Sequence, residues 1–404
     1  SIMSSYSTAS ESPARMELLA PWTYRHPELF NLEVERIFKR HWLLACHVSD
    51  LPAPRDYFTL DAFGECALLL RGDDRRVRAF HNICRHRGAK LLDGSGNCPA
   101  MLSCPFHGWT YRLDGTLASV PASGTFADLD PAQHALAPLE MEIWMGFIFI
   151  RFAGNGAPLS EELRPIEEIA THYRIAEMAP LAGTRYAQEL PYNWKTVHDI
   201  DNEGYHVPAG HPALQQLYGG NYRDEVRGGV PVSTALLNEA RGALWSVRHY
   251  QKLLPVYDEL FPHLPTPQRR AWLYIGVYPS TVLALYPECI EFYMSIPLAP
   301  GRSRMIGASY ALPDARRETL AARYLNARIN RMTEREDRAF VRRLHQGLRS
   351  SARPTPHLSS LEEGVFELHE QIRRELPVAG LPAAPADGTL ARVDFEMRTQ
   401  QRRV

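Results

Sequence analysis

The chain has 404 residues, 45% of them hydrophobic, and a formal net charge of −1. That length suffices for two substantial cores, and the near-neutral balance gives no electrostatic ground for a nucleic-acid or membrane-surface partner. No stretch approaches the apolar length of a membrane span: residues 143–150 are strand-sized and broken by Gly146, and the polar opening at residues 1–12 lacks the apolar centre of a signal peptide.

Residues 28–42 are predicted as an amphipathic helix, because Leu29, Phe30, Val34, Ile37, Phe38 and Trp42 recur at helical spacing. From about Leu43 the pattern changes to short strands and turns. Residues 57–60 and 67–70 are strand-like, and Gly72-Asp73-Asp74 signals a hairpin into a strand at 77–80. Another strand at 110–113 meets the turn Asp114-Gly115, and the all-β pattern closes near Phe152. Beyond Gly154-Asn155-Gly156-Ala157-Pro158, residues 161–175 read as a helix. Strands follow at 271–277, 282–286 and 290–296, then a long helix at 319–349. Strands with segregated helices indicate an α+β domain. The Pro/Ala-rich stretch 382–388 is expected to drape over the surface.

The all-β module holds Cys84-x-His86, seventeen further residues, and then Cys104-x-x-His107. A [2Fe–2S] cluster with two Cys on one iron and two His on the other needs this ligand set, and its neutral imidazoles raise the reduction potential. Zinc is the competing reading, since Cys2His2 sites also hold it. Zinc fingers usually pair Cys with Cys and His with His, whereas each short loop here contributes one of each.

The loops read Cys84-Arg85-His86-Arg87-Gly88-Ala89 and Cys104-Pro105-Phe106-His107-Gly108-Trp109. They resemble the Rieske domain of bacterial ring-hydroxylating oxygenases. Respiratory Rieske proteins carry an extra Cys in each loop and join the two in a disulfide; Ala89 and Phe106 stand at those places, so that disulfide cannot form. The remaining cysteines, Cys46, Cys66, Cys98 and Cys289, are scattered and show no secreted framework, which fits a reducing cytoplasm.

A second signal lies in Asn193-Trp194-Lys195 and the following Glu203, His206 and His211. Non-haem Fe(II) oxygenases bind their metal with two His and one carboxylate, leaving positions open for O2. A lone His-x4-His pair is equally readable as two unrelated histidines. The segment resembles the iron-binding motif of Rieske oxygenase catalytic domains: Asn-Trp-Lys, an acid three residues before the first His, then the second His. In that family the third ligand is an aspartate on a helix shortly before a Gln-x-Gly-Leu stretch. Here Glu336-Asp337 precedes Gln346-Gly347-Leu348, which makes Asp337 the expected ligand and Glu336 the nearest substitute. Asp199-Ile200-Asp201 departs from the usual Glu-Asn-aromatic pattern, and His198, Asp199 and Asp201 add ionisable groups of unassigned role. They could orient the ligands or sit on the helix's outer face.

The resemblance runs from about Leu29 to Pro377. It implies an N-terminal segment at 1–42 packed on the catalytic domain, a Rieske domain at 43–155, and a mononuclear iron domain at 156–404 with a curved antiparallel sheet of helix-grip type. It further implies a [2Fe–2S] cluster at Cys84, His86, Cys104 and His107, and Fe(II) at His206, His211 and Asp337. Electrons for O2 would come from NAD(P)H through a flavin/iron–sulfur reductase or a ferredoxin. A head-to-tail homotrimer is implied, with Glu203 bridging a cluster His of one subunit to an iron His of the next. The eleven arginines from Arg316 to Arg353 could dock an acidic electron donor or form a solvated helix face.

Tyr205-His206-Val207-Pro208 resembles oxygenases of quaternary ammonium compounds. The expected reaction is hydroxylation or demethylation of a small methylammonium substrate, with cage candidates Trp245, Tyr250, Tyr274, Tyr278, Tyr286 and Tyr293. The alternative is hydroxylation, dihydroxylation or O-demethylation of an aromatic compound, whose carboxylate Arg241, Arg248 or Arg304 could pair. A third possibility is an electron carrier with an inactive second domain.

Overall fold

The computed structural model describes residues 15–154, 156–353 and 355–403. The polar opening at 1–12 and Asn155 lie outside the described residues.

The first predicted helix is shorter than its apolar spacing suggests. An α-helix spans Pro27–Glu33, begun by proline where no amide donor is needed, and it widens into a π-helical turn over Val34–Phe38. Trp42 falls outside it because it serves a different core. Leu29, Ile37 and Phe38 pack with Trp194 and Ile372, whereas Trp42 joins Leu44, Phe147 and Leu159.

Small antiparallel sheets follow. One pairs Leu43–His47 with Phe147–Arg151 and Glu140–Trp144; another orders Val77–His81, Glu65–Arg71, Asp56–Ala62 and Ser95–Asn97; a third holds Met101–Ser103, Thr110–Arg112 and Leu117–Ser119. The predicted strands at 57–60, 67–70, 77–80 and 110–113 all lie in these sheets. The predicted helix at 161–175 is broken into Leu159–Glu162, Arg164–Thr171 and a 3-10 turn at Ile175–Glu177. Pro165 explains the first break, since its ring cannot follow a preceding helical turn and it sits instead in the first turn of the new helix.

The second half is built on an eight-stranded antiparallel sheet. Its order is Ala179–Pro180, Arg302–Ala311, Ile290–Ala299, Thr281–Leu285, Ala271–Val277, Val230–Leu236 and Tyr222–Arg227, with Tyr186–Leu190 also paired to Arg302–Ala311. The architecture is therefore a β domain joined to an α+β domain with a large antiparallel sheet and helices. The long helix, Arg317–Gly347, packs against the helices Trp194–Asp201, Pro212–Tyr218 and Trp245–Leu253. Residues 382–388 are irregular, and an unforeseen helix, Leu390–Gln401, follows them.

Asn193-Trp194-Lys195 is a structural device. The Asn193 carboxamide accepts from the Lys195 amide at 2.9 Å, capping the Trp194–Asp201 helix. Trp194 is fully buried, edge-on to Phe38 at 4.8 Å. Lys195 Nζ donates to Glu33 Oε2 at 2.6 Å, with both side chains at most 1% exposed. These contacts tie the N-terminal helix to the helix that leads into the catalytic residues.

Breaking one half of a buried pair leaves an uncompensated charge, at about 3–5 kcal/mol. Lys195→Met should therefore lower the denaturation midpoint sharply, and the double change Glu33→Leu, Lys195→Met should recover most of that loss. Equal midpoints for the two variants would refute the pairing.

Candidate active site

Two polar centres emerge from this framework. The first lies in the all-β module, where two loops repeat one backbone pattern. The Cys84 amide donates to Ala89 O at 2.8 Å and Gly88 N to Cys84 O at 2.9 Å; the Cys104 amide donates to Trp109 O at 2.7 Å and Gly108 N to Cys104 O at 3.0 Å. Gly88 and Gly108 take φ of 78° and 74°, a left-handed turn that glycine adopts without steric cost. Each loop thus presents its Cys and His in the same sense. His86 and His107 lie 4.9 Å apart between ring centres, His86 stacks on Trp109, and Cys84 Sγ lies 3.1 Å from the Tyr111 hydroxyl.

Among the described residues, the one group of three or more candidate ligands within 4.8 Å of one another is His206, His211 and Asp337. Each loop of the first centre brings one thiol and one imidazole, a donor set that suits a two-iron core with two Cys on one iron and two His on the other.

His206, His211 and Asp337 form the second centre. His206 Nε2 and His211 Nε2 stand 3.0 Å apart, with Asp337 Oδ1 2.8 Å from the latter and 3.6 Å from the former. Two imidazole nitrogens and a carboxylate oxygen aimed at one another form a donor set suited to a cation, and this set suits Fe(II). Glu203 Oε1 lies 2.6 Å from His206 Nδ1, and its other oxygen accepts from the His206 amide at 3.1 Å. The carboxylate thereby holds the proton on Nδ1 and frees Nε2 as a ligand. Burial disfavours a charged His206, but Asp337 and Glu203 outweigh it and lift its pKa to about 10. Glu336 Oε1 sits 3.4 Å from His211 Nδ1, on the side away from the converging nitrogens, so Asp337 rather than Glu336 meets them.

The chain turns sharply to achieve this. At Gly204 a Cβ atom would stand 1.8 Å from the Tyr222 ring, so only glycine lets this turn pack there. Asp337 arrives from the long helix, whose residues Ala327, Asn330, Glu334, Asp337 and Val341 share one face by helical spacing.

A cavity of about 550 Å³ adjoins this centre and includes Glu203, His206, His211 and Asp337 in its walls. Of the expected cage residues, Tyr274, Tyr286 and Tyr293 line it. Trp245 does not: it is 49% exposed and stacks on His249. Tyr250 is spent in the core on Glu288, and Tyr278 lies edge-on to His41. Arg241, Arg248 and Arg304 are likewise absent from the walls, which instead carry Arg323, Arg331 and Arg338.

The unassigned acids separate cleanly. Asp199 points away, accepting from the Tyr24 hydroxyl at 2.5 Å and from His369 Nε2 at 2.6 Å. His198 is buried against Ser295 Oγ at 2.9 Å, which pushes its pKa down to about 4, whereas Asp201 lines the cavity. Sequence reasoning missed Tyr186, Tyr222 and Glu291 on the cavity wall. A lone acid within the apolar run Ile290-Glu291-Phe292-Tyr293-Met294 was the available signal for the last.

The profile described as ring hydroxylating alpha subunit (catalytic domain) matches residues 165–377, more than half of the chain. The chain belongs to that family. A Rieske [2Fe-2S] domain profile matches residues 41–134, which contain both loops of this α subunit. It is 35% identical over 192 residues to the carnitine monooxygenase oxygenase subunit of Acinetobacter pittii, covering 47% of this chain and 52% of that protein. It is also 35% identical over 191 residues to the glycine betaine monooxygenase oxygenase subunit of Pseudomonas aeruginosa, covering 47% and 44%. The matched stretch thus spans about half the length of these curated relatives. In fold, the α subunit superposes on a quaternary ammonium Rieske monooxygenase with TM-score 0.74 and 23% identity, covering 89% of this chain and 95% of the other. Naphthalene 1,2-dioxygenase gives TM-score 0.72 and 19% identity, covering 95% and 96%. Among the described residues, no helix is long and apolar enough to cross a membrane.

Replacing His206 or Asp337 by Ala should remove one iron per chain while leaving the visible and EPR spectra of the cluster intact. Gly204→Ala should do the same through displacement of His206. Loss of cluster signal with retention of the remaining iron would contradict the assignment.

Proposed function

We propose that the chain is a terminal oxygenase component that hydroxylates or demethylates a small methylammonium or betaine-type compound. The observation that carries this reading is a His-His-carboxylate set opening onto a cavity walled by tyrosines and acids. When bound, a [2Fe–2S] cluster at Cys84, His86, Cys104 and His107 supplies single electrons, and Fe(II) at His206, His211 and Asp337 activates O2.

The chain's own side chains then have definable tasks. His206, His211 and Asp337 would hold the metal, and the cavity they line would admit O2 and substrate. The tyrosine walls exclude water and offer their faces to a cation. Of the cavity's arginines, Arg323 is spent on the backbone carbonyls of Glu288, Leu312 and Asp314, and Arg338 pairs with Glu334. Arg331 forms no ion pair among the described residues, so it is available to a substrate carboxylate. A cation-binding wall with one free arginine suits a zwitterion.

The names of the 35%-identical relatives, carnitine and glycine betaine monooxygenase oxygenase subunits, support that substrate class. Those relatives are oxygenase subunits, which supports a separate reductase or ferredoxin drawing on NAD(P)H. We further propose that the protein is a cytoplasmic homotrimer in which Glu203, with one oxygen already on His206 Nδ1, joins the iron site to the cluster His of the neighbouring subunit. The described cysteines are all unpaired, as a reducing compartment requires.

The test combines purified protein, a reductase and NADH with a panel of betaines and aromatic acids, read by product mass and formaldehyde. Oxygen incorporation into, or demethylation of, a methylammonium compound is the expected result. A ring diol or hydroxylated aromatic acid would replace this reading with the aromatic one. About two irons per chain instead of about three, without turnover, would mark an electron carrier. Glu203→Gln should keep both centres loaded yet cut coupled turnover by about a hundred-fold; near-normal turnover would remove its bridging role.

A further inference from the structure

The sheet face behind the cavity has an unusual order. Across three paired strands, Tyr186, Gly307 and Tyr293 lie in register, and one step along, Glu291 pairs with Ala284, which pairs with Tyr274. Small residues at Gly307 and Ala284 leave room that the tyrosines fill. A Cβ at Gly307 would stand 2.7 Å from the Tyr186 ring, so the glycine is what seats that ring. Tyr286 completes the group by donating its hydroxyl to Glu291 Oε1 at 2.8 Å.

Tyr186, Tyr274, Tyr286 and Tyr293 each feel the Glu291 carboxylate. All five side chains line the cavity. Among the described residues no lysine, arginine or histidine pairs with Glu291, although arginines reach the same cavity. Burial, with Glu334 nearby, works against its charge and pushes its pKa up even though the Tyr286 hydroxyl favours the anion. This half-buried carboxylate on the cavity wall thus lacks a counter-charge among the described residues. Tyr293 and the ligand Asp337 line the same cavity.

We propose that Glu291, ringed by Tyr186, Tyr274, Tyr286 and Tyr293, is the counter-charge of the substrate's methylammonium group and so selects a cation over a neutral or anionic ring. This rests on the methylammonium reading above and assigns it a subsite. Tyrosine faces attract a desolvated cation through their quadrupoles, and the carboxylate adds a full charge in a setting where water screens little. An aromatic acid would place its own carboxylate or electron-rich ring against the same anion and be repelled.

The experiment uses the holoprotein and isothermal titration with tetramethylammonium and, separately, benzoate. Wild type should bind tetramethylammonium in preference to benzoate. Glu291→Gln, which keeps the shape and removes the charge, should weaken tetramethylammonium at least about ten-fold. For a betaine that is turned over, the change should fall mainly on KM rather than kcat, with the cluster's EPR signal unchanged. Tyr286→Phe should show a smaller loss in the same direction and serves as the second variant if the Gln form fails to retain its cluster. Unaltered tetramethylammonium affinity in both variants, or preferential binding of benzoate by wild type, would overturn the assignment. Tetramethylammonium binding that depends on Glu291, without oxidation of any methylammonium compound, would uphold the subsite and reject the proposed reaction.

Discussion

Two imidazole nitrogens 3.0 Å apart with a carboxylate oxygen 2.8 Å from one of them cannot rest there as free neutral acceptors. A proton shared with Asp337 or a bound metal ion must sit among them, and the rest of the catalytic domain is arranged to keep them together. Glu203 fixes the His206 tautomer, and Gly204 allows the turn that carries both. The Asn193 cap, Trp194 and the Lys195–Glu33 pair anchor the helix from which that turn emerges. Asp337 comes from 126 residues beyond His211, delivered by a long helix whose face follows the cavity.

The other centre obeys a different rule. Its two loops share backbone hydrogen bonds and left-handed glycines, so symmetry of the main chain places the ligands. The mononuclear centre has no such symmetry and relies on side chains from three elements. The two modules nevertheless share a core: Leu43, Ala45, Ile148 and Ile150 pack in one cluster with Trp194, Met294 and Ile296. Damage to that core would be felt by both centres, whereas the ligand changes act on one.

The sequence was most legible where chemistry is written in short spacing. Cys84, His86, Cys104 and His107 could be found because the loops are local, and the strands around them are short apolar runs bounded by turn residues. The strands 271–277 and 290–296 were equally plain, being apolar and buried. Tyr222–Arg227 and Arg302–Ala311 were not, because charged residues and glycine mask their alternation. The cavity wall was only half readable. Tyr274, Tyr286 and Tyr293 could be suspected from their strands, but Tyr250 and Trp245 look identical in sequence and point elsewhere. What separates them is strand register and helix packing, and neither is a local property. Arg241, Arg248 and Arg304 fail for the same reason.

The most direct measurement is an anomalous-scattering map at the iron edge from crystals of the iron-loaded, oxidised protein. The account predicts a two-iron peak between the Cys84–His86 and Cys104–His107 loops and a separate single peak bonded to His206, His211 and Asp337. A single metal shared by the four loop residues, or no peak at the His206–His211–Asp337 position, would contradict it.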